Sequence, residues 1–268
     1  MQIAPLKELL PYIKHYLFLE SDGAALKKLR LFSDGNTGMV FTFRGSLFAD
    51  NTASNFPVSF LYGQINAFKD LYLLEKTSII IVVFQPVGVH QLLAIPANEI
   101  RDSIIPAENI FGTRVSTLYE KINEQTCVAT KLQLLNTFFM ELANRKTLPA
   151  QSLIHSTLHY ILKNKGAVAV SDLVKYSGYT ERHIERVFNE CIGLTPKKFG
   201  NIVKLHFFLN LLKYKSHQTN ITGLCYEAGY ADQSHLIKEF KKYTGITPTQ
   251  YLYNTSRLAI NFMEFTSW

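Results

Sequence analysis

The chain has 268 residues and a formal net charge of +7, with 47% hydrophobic and 18% charged residues. That balance excludes an intrinsically disordered chain and allows two domains with cores of their own. The longest apolar run, Ser78 to Phe84, is too short for a membrane helix. The N-terminal residues lack the basic-then-apolar order of a signal peptide, so a cytoplasmic protein with no membrane partner is expected. Cys127, Cys191 and Cys225 form no CxxC pair and are expected as reduced, mostly buried thiols.

Residues 1–112 read as mostly β. Tyr16–Leu19, Gly38–Phe43, Ser46–Phe48, Val58–Gly63 and Ser78–Phe84 are short runs rich in β-branched and aromatic residues. Their spacing predicts an antiparallel sandwich or small barrel. Pro86-Val-Gly88 is a turn, and residues 90–100 are short helical or irregular pieces. Residues 113–149 switch to a helical period: Val115, Leu118 and Ile122 in one helix, and Leu132, Leu135, Phe138, Phe139 and Leu142 in a second. This helical linker offers core packing or, less favourably, a dimer seam that would make residues 1–149 a homodimer interface. The polar stretch Asn144 to Pro149 marks the domain boundary.

From residue 150 the pattern is helical, and one stretch occurs twice. Gly178 to Phe199 reads GYTERHIERVFNECIGLTPKKF, and Gly229 to Tyr251 reads GYADQSHLIKEFKKYTGITPTQY. Gly178 corresponds to Gly229, Phe188 to Phe240, Gly193 to Gly245, and Pro196 to Pro248. Each copy is the second half of a helix-turn-helix, preceded by a short helix and joined to its twin by a long helix opened by Pro196. The fold class expected is therefore α+β: a β-rich sandwich or barrel-like domain (1–112), a helical linker (113–149), and an all-α domain with two helix-turn-helix motifs (150–254). The tail, 255–268, has no assignment.

Charge follows the same division. Residues 1–150 carry a net charge of +1 and residues 151–268 a net charge of +6, which points to a polyanionic partner for the second half. With Ile184, Val187 and Phe188 turned inward, Arg182, Glu185 and Arg186 face outward beside His183. Arginines there suit guanine O6/N7 and Glu185 suits cytosine N4. With Leu236 and Phe240 inward, Gln233, Ser234, His235 and Lys238 face outward, and Gln suits adenine N6/N7. Lys197, Lys198, Lys213, Lys241 and Lys242 are placed for phosphates, which set register and salt dependence.

Together the two copies resemble the C-terminal DNA-binding domain of the AraC/XylS family of bacterial transcription regulators, over about Leu153 to Tyr251. The resemblance implies two reading heads held by the connecting helix on one face of bent double-stranded DNA, with RNA polymerase as protein partner. Cys225 stands where that family prefers alanine, and Leu252 where it often has arginine. Pro11-Tyr-Ile, Tyr62-Gly-Gln and Phe84-Gln-Pro-Val-Gly are similar to the β-rich sensory domains attached to the family, which implies effector sensing or self-association. The alternative reading is a small-molecule-binding protein or enzyme whose N-terminal domain carries the main activity. No GxSxG, phosphate-binding loop or dinucleotide fingerprint supports catalysis. His155 and His159 have metal-ligand spacing, but no third ligand at a suitable offset completes a site, so neither metal nor cofactor is expected.

Overall fold

A 16-residue strand, Lys69–Phe84, runs through the middle of the N-terminal domain. It is the sixth in chain order, β6, and everything before residue 107 is arranged on it. The computed structural model describes residues 1–21, 27–49, 55–144, 152–215, 220–253, 257–259 and 262–265. One edge of β6 pairs antiparallel along most of its length with β4, Gly38–Ala49. The other edge pairs first with β3, Lys27–Leu31, and then with β2, Ile13–Ser21. β1 (Gln2–Ile3) joins β2, β5 (Ser59–Tyr62) joins β4, and β7 (Ile104–Pro106) joins β5. A strand as long as β6 carries a large right-handed twist, so its partners curl around it.

Two expectations change here. The runs Gly38–Phe43 and Ser46–Phe48 are a single strand, with register irregularities at Thr42/Arg44 and Arg44/Ser46. Gly45, at φ 72°, bends the strand without ending its pairing. The tail forms β8 (Arg257–Ala259) and β9 (Phe262–Phe265), and β9 pairs antiparallel with β3. The C-terminal end of the chain thus completes the N-terminal sheet, which has nine strands among the described residues.

One face of this sheet is covered by α1 (Gly88–Leu93), α2 (Glu108–Phe111), α3 (Thr113–Asn123) and α4 (Val128–Ala143). Val115, Leu118, Ile122, Leu135, Phe138, Phe139 and Leu142 share a buried cluster with Ile13, Tyr16, Phe41 and Phe84. The linker's apolar stripe is therefore core against the sheet. The expected boundary at Asn144 to Pro149 lies almost wholly outside the described residues.

The C-terminal helices are α5 (Ser152–Lys163), α6 (Val170–Ser177), α7 (Glu181–Ile192), α8 (Pro196–Lys215), α9 (Ile221–Glu227), α10 (Gln233–Thr244) and α11 (Pro248–Tyr253). Helix α8 has 20 residues and spans about 30 Å. Its Phe199, Ile202, Leu205, Phe208, Leu209 and Leu212 lie in one buried cluster with residues of both repeats. Phe32, Val87 and, from β9, Met263 enter that cluster from outside the helical domain. The domains also meet at Gly35, where a Cβ would stand 2.8 Å from the Phe199 ring. Nearby, His206 bonds Ser33 O at 2.9 Å through Nε2. Burial pushes the His206 imidazole below its ordinary pKa of 6.5, so the neutral ring donates that proton to the carbonyl.

Candidate nucleic-acid interface

Helices α6–α7 and α9–α10 form the two helix-turn-helix units. Both turns are set by backbone conformation. Gly178 has φ 73° and Gly229 φ 80°, and Gly178 has open space where a Cβ would stand. Glycine is needed there for its dihedral angle and not for room. The next helix begins the same way in each copy. Thr180 Oγ1 accepts from His183 N–H at 3.3 Å, and Asp232 Oδ1 accepts from His235 N–H at 2.7 Å. Each such cap is worth about 1 kcal/mol.

Beneath the helices sit the paired aromatics. Phe188 and Phe240 are both fully buried. Phe188 meets Phe199 at 6.3 Å between ring centroids, and Phe240 meets Tyr251, the counterpart of Phe199, at 5.9 Å, both edge-on. Gly193 (φ 81°) and Gly245 (φ 73°) end α7 and α10 in the left-handed conformation. Pro196 and Pro248, both buried, open α8 and α11. Duplicated sequence has become duplicated geometry at every one of these positions.

The outward faces are where the heads differ. Arg182, Glu185 and Arg186 are exposed on α7, with His183 half-buried. Arg186 pairs with Glu190 at 3.3 Å across one helical turn and approaches His183 Nδ1 at 3.5 Å. Among the described residues Arg182 has no ion-pair partner. Gln233, Ser234, His235 and Lys238 are exposed on α10. Gln233 Oε1 accepts from Thr222 Oγ1 at 3.4 Å, which ties α10 to α9. These side chains cluster in the first half of each helix, the half that presents to base edges when such a helix enters a major groove.

Of the lysines, Lys197, Lys213, Lys241 and Lys242 are exposed. Lys198 is placed differently: it is half-buried and its ammonium donates to Asn66 Oδ1 of the N-terminal domain. Lys198 lies in the first turn of α8, the end that packs against that domain. Cys191 and Cys225 are buried while Cys127 is exposed, and burial pushes the Cys191 thiol up to about 11. His155 meets Gln91 Nε2 at 2.7 Å through its own Nε2.

Three residues that the repeat pattern did not single out hold the second head. Glu239 occupies the position that Val187 has in the first copy. Its Oε1 accepts from Asn201 Nδ2 at 3.0 Å, and its Oε2 is 3.7 Å from Lys204 Nζ. Lys204 is 9% exposed, and its ammonium lies 4.2 Å from the Tyr230 ring centroid. A buried lysine needs a counter-charge, and Glu239 supplies it. The available signal was a pair of charged residues, Lys204 and Glu239, at inward positions of two helices.

The N-terminal sheet encloses a cavity of about 190 Å³. Its walls are mostly apolar and include Leu31, Val40, Phe60 and Ile79, with Lys69 and Asp102 among the polar contributors. Phe262, from the C-terminal strand β9, is also wall. In the β3–β9 pair Leu31 stands opposite Phe262, and Arg30 opposite Met263. Leu31 and Phe262 line the cavity, whereas Met263 is buried with the C-terminal helices.

Comparison with known proteins divides the chain along the same lines. Residues 1–106 match a family described as a domain of unknown function (DUF6597), and residues 173–254 match one described as a helix-turn-helix domain. An uncharacterized helix-turn-helix-type transcriptional regulator of Haemophilus influenzae is 29% identical over 82 residues, 31% of this chain and 27% of that protein. The match therefore spans little more than a quarter of that relative's length. The helix-turn-helix-type transcriptional activator AarP of Providencia stuartii is 26% identical over 102 residues, 37% of this chain and 73% of AarP. The crystal structure of ToxT from Vibrio cholerae aligns over 89% of this chain and 96% of its own, at 14% identity and a TM-score of 0.46.

Proposed function

We propose that the chain, whose residues 173–254 match a helix-turn-helix domain, is a sequence-specific transcription regulator that reads two successive major-groove segments with two unlike helices. The observation that carries this reading is the pair α7 and α10. They are capped, plugged and terminated alike, and each turns a different set of base-reading side chains outward. Arg182, Arg186 and Glu185 read one segment; Gln233, Ser234, His235 and Lys238 read the other. Lys197, Lys213, Lys241 and Lys242 contact phosphates, and Lys198 joins them only if its bond to Asn66 is released. The length of α8, about 30 Å, suits heads placed one turn of DNA apart, about 34 Å.

Binding of the full chain to a duplex selected from a random pool tests this reading. Log affinity should fall linearly with log salt, with a slope of about −0.9 for each phosphate contacted. Equal affinity for selected and scrambled duplexes would remove it.

The cavity supports a second element of the proposal: the N-terminal domain senses an apolar small molecule. A ligand at 100 times its dissociation constant should raise stability by about 2.7 kcal/mol, read as a higher thermal midpoint of the full chain. The relative AarP is an activator, and activation through RNA polymerase is the mode we assign here. The expected setting is the cytoplasm; among the described residues no helix is long and apolar enough to cross a membrane. Any homodimer through residues 1–149 would use surfaces other than the buried α3–α4 stripe.

A further inference from the structure

The N-terminal domain touches both repeats at the same point. In the first, Ala97 N–H donates to Glu190 O, in the last turn of α7, at 2.7 Å. A Cβ on Gly193 would stand 2.7 Å from Ala97 O, so the contact also closes over the helix-ending glycine. In the second, Arg30 Nη1 donates to Thr244 O, at the end of α10, at 3.4 Å. A Cβ on Gly245 would stand 2.6 Å from Arg30 Nη1 and from the Phe68 ring. Gly193 and Gly245 are corresponding residues of the duplication, 52 positions apart. Two unrelated pieces of the N-terminal domain, strand β3 and the loop after α1, have converged on them.

The chemistry suits the place. The last carbonyls of a helix lack intrahelical partners and carry partial negative charge, so an N–H or a guanidinium there is favourable. Arg30 is also held in position. Asp70 accepts from its Nε and Nη2, each at 2.6 Å, and its guanidinium carbon lies 4.1 Å from the Phe68 ring centroid. The contacts grip the C-terminal ends of α7 and α10 and leave their first halves, with Arg182 and Gln233, turned outward.

We propose that the N-terminal domain is a two-point brace that fixes the angle between the two reading heads, with Arg30 and Ala97 as its positioning residues. This rests on the reading of α7 and α10 as DNA-reading helices. The brace supplements α8: the long helix sets the distance between heads and anchors the second through Asn201 and Lys204, and the two contacts hold both heads against one rigid domain. A braced pair tolerates one spacing of its two DNA segments, whereas a released pair tolerates several.

The experiment uses the full chain and the duplex it selects from a random pool, remade with one and then two base pairs inserted between the two segments it protects. The intact chain should lose about tenfold or more in affinity per insertion, because each base pair turns one segment away from its head. Arg30→Ala should lose about threefold or less per insertion, with a two-state thermal transition retained. Arg30→Lys keeps the charge and loses the fork, and should fall between them. Should Arg30→Ala fail to fold, Phe68→Ala, which removes the ring beneath the guanidinium, is measured in the same way. An insertion penalty equal in the intact and variant chains overturns the brace while leaving the heads as DNA readers. An intact chain that selects no duplex overturns the DNA-reading premise itself.

Discussion

The two heads share a buried skeleton and differ in what secures it. The first head is closed by apolar residues alone at its inner surface: Ile184, Val187 and Phe188 are all buried. In the second, Glu239 stands where Val187 stands in the first and is held by Asn201 and Lys204. One head is fixed by packing, which is non-directional; the other adds a charged link to α8, which is directional. Duplication preserved what the turn geometry requires and released what the helix face could change. The difference teaches that the second head's angle to α8 is specified more tightly than its sequence resemblance to the first implies.

Substitutions at corresponding positions separate the two heads. The largest effect belongs to the shared skeleton. Phe188→Ala and Phe240→Ala should each cost about 3–5 kcal/mol in chemical denaturation, since both leave a large cavity, one beneath α7 and one beneath α10. Similar losses at the two sites would mark the skeleton as common; a loss confined to one would break the equivalence.

Glu239→Val, which writes the first head's residue into the second, should cost about 2 kcal/mol by removing the counter-charge of the buried Lys204. Adding Lys204→Met should recover most of that loss, and a double-mutant cycle by denaturation measures the coupling. Additive losses would mean that the charged link does not fix the second head.

Gly178→Ala and Gly229→Ala should each cost about 1–2 kcal/mol from the left-handed dihedral alone, and thermal melts of both variants check it. At Gly178 there is nothing for the new methyl to strike, so a larger loss there would show that the turn needs more than its dihedral angle.

The contact of α8 with the N-terminal domain adds a smaller, pH-dependent effect. His206 titrates below its ordinary pKa of 6.5 in the folded chain, chiefly because it is buried. The unfolded chain therefore binds the proton first as pH falls. The stability that the neutral ring contributes is complete above pH 6.5 and is lost as pH falls from there through the lowered folded value. Denaturation midpoints between pH 7.5 and 5 should fall, and His206→Gln should flatten that slope. A slope unchanged in the variant would place the titrating group elsewhere.

Much of the C-terminal helical domain was legible from residue order. The glycines, caps, phenylalanines and Thr-Pro pairs are local requirements, so their spacing alone places both units. Outward faces followed from the 3.6-residue period, and α7 and α10 expose Arg182 and Gln233 as that period demands. What escaped was non-local. Strand β3 is short and basic, and its pairing with β9 joins residues more than 230 positions apart. Nothing near residue 262 signals that partner. The turn of Lys198 toward Asn66 and the meeting of Arg30 with Thr244 are likewise products of how two domains dock. The α6–α7 and α9–α10 units could be placed from sequence; the grip of the N-terminal domain on them could not.

The central claim is that one chain reads an asymmetric site with two unlike heads. Selection of bound duplexes from a random pool by the intact chain, by Arg182→Ala and by Gln233→Ala tests it most directly. The intact chain should enrich two different sequence segments about one helical turn apart. Arg182→Ala should relax preference only in the first segment and Gln233→Ala only in the second, each by about 1–3 kcal/mol of base discrimination. A palindromic site, or relaxation of the same segment by both substitutions, would contradict it.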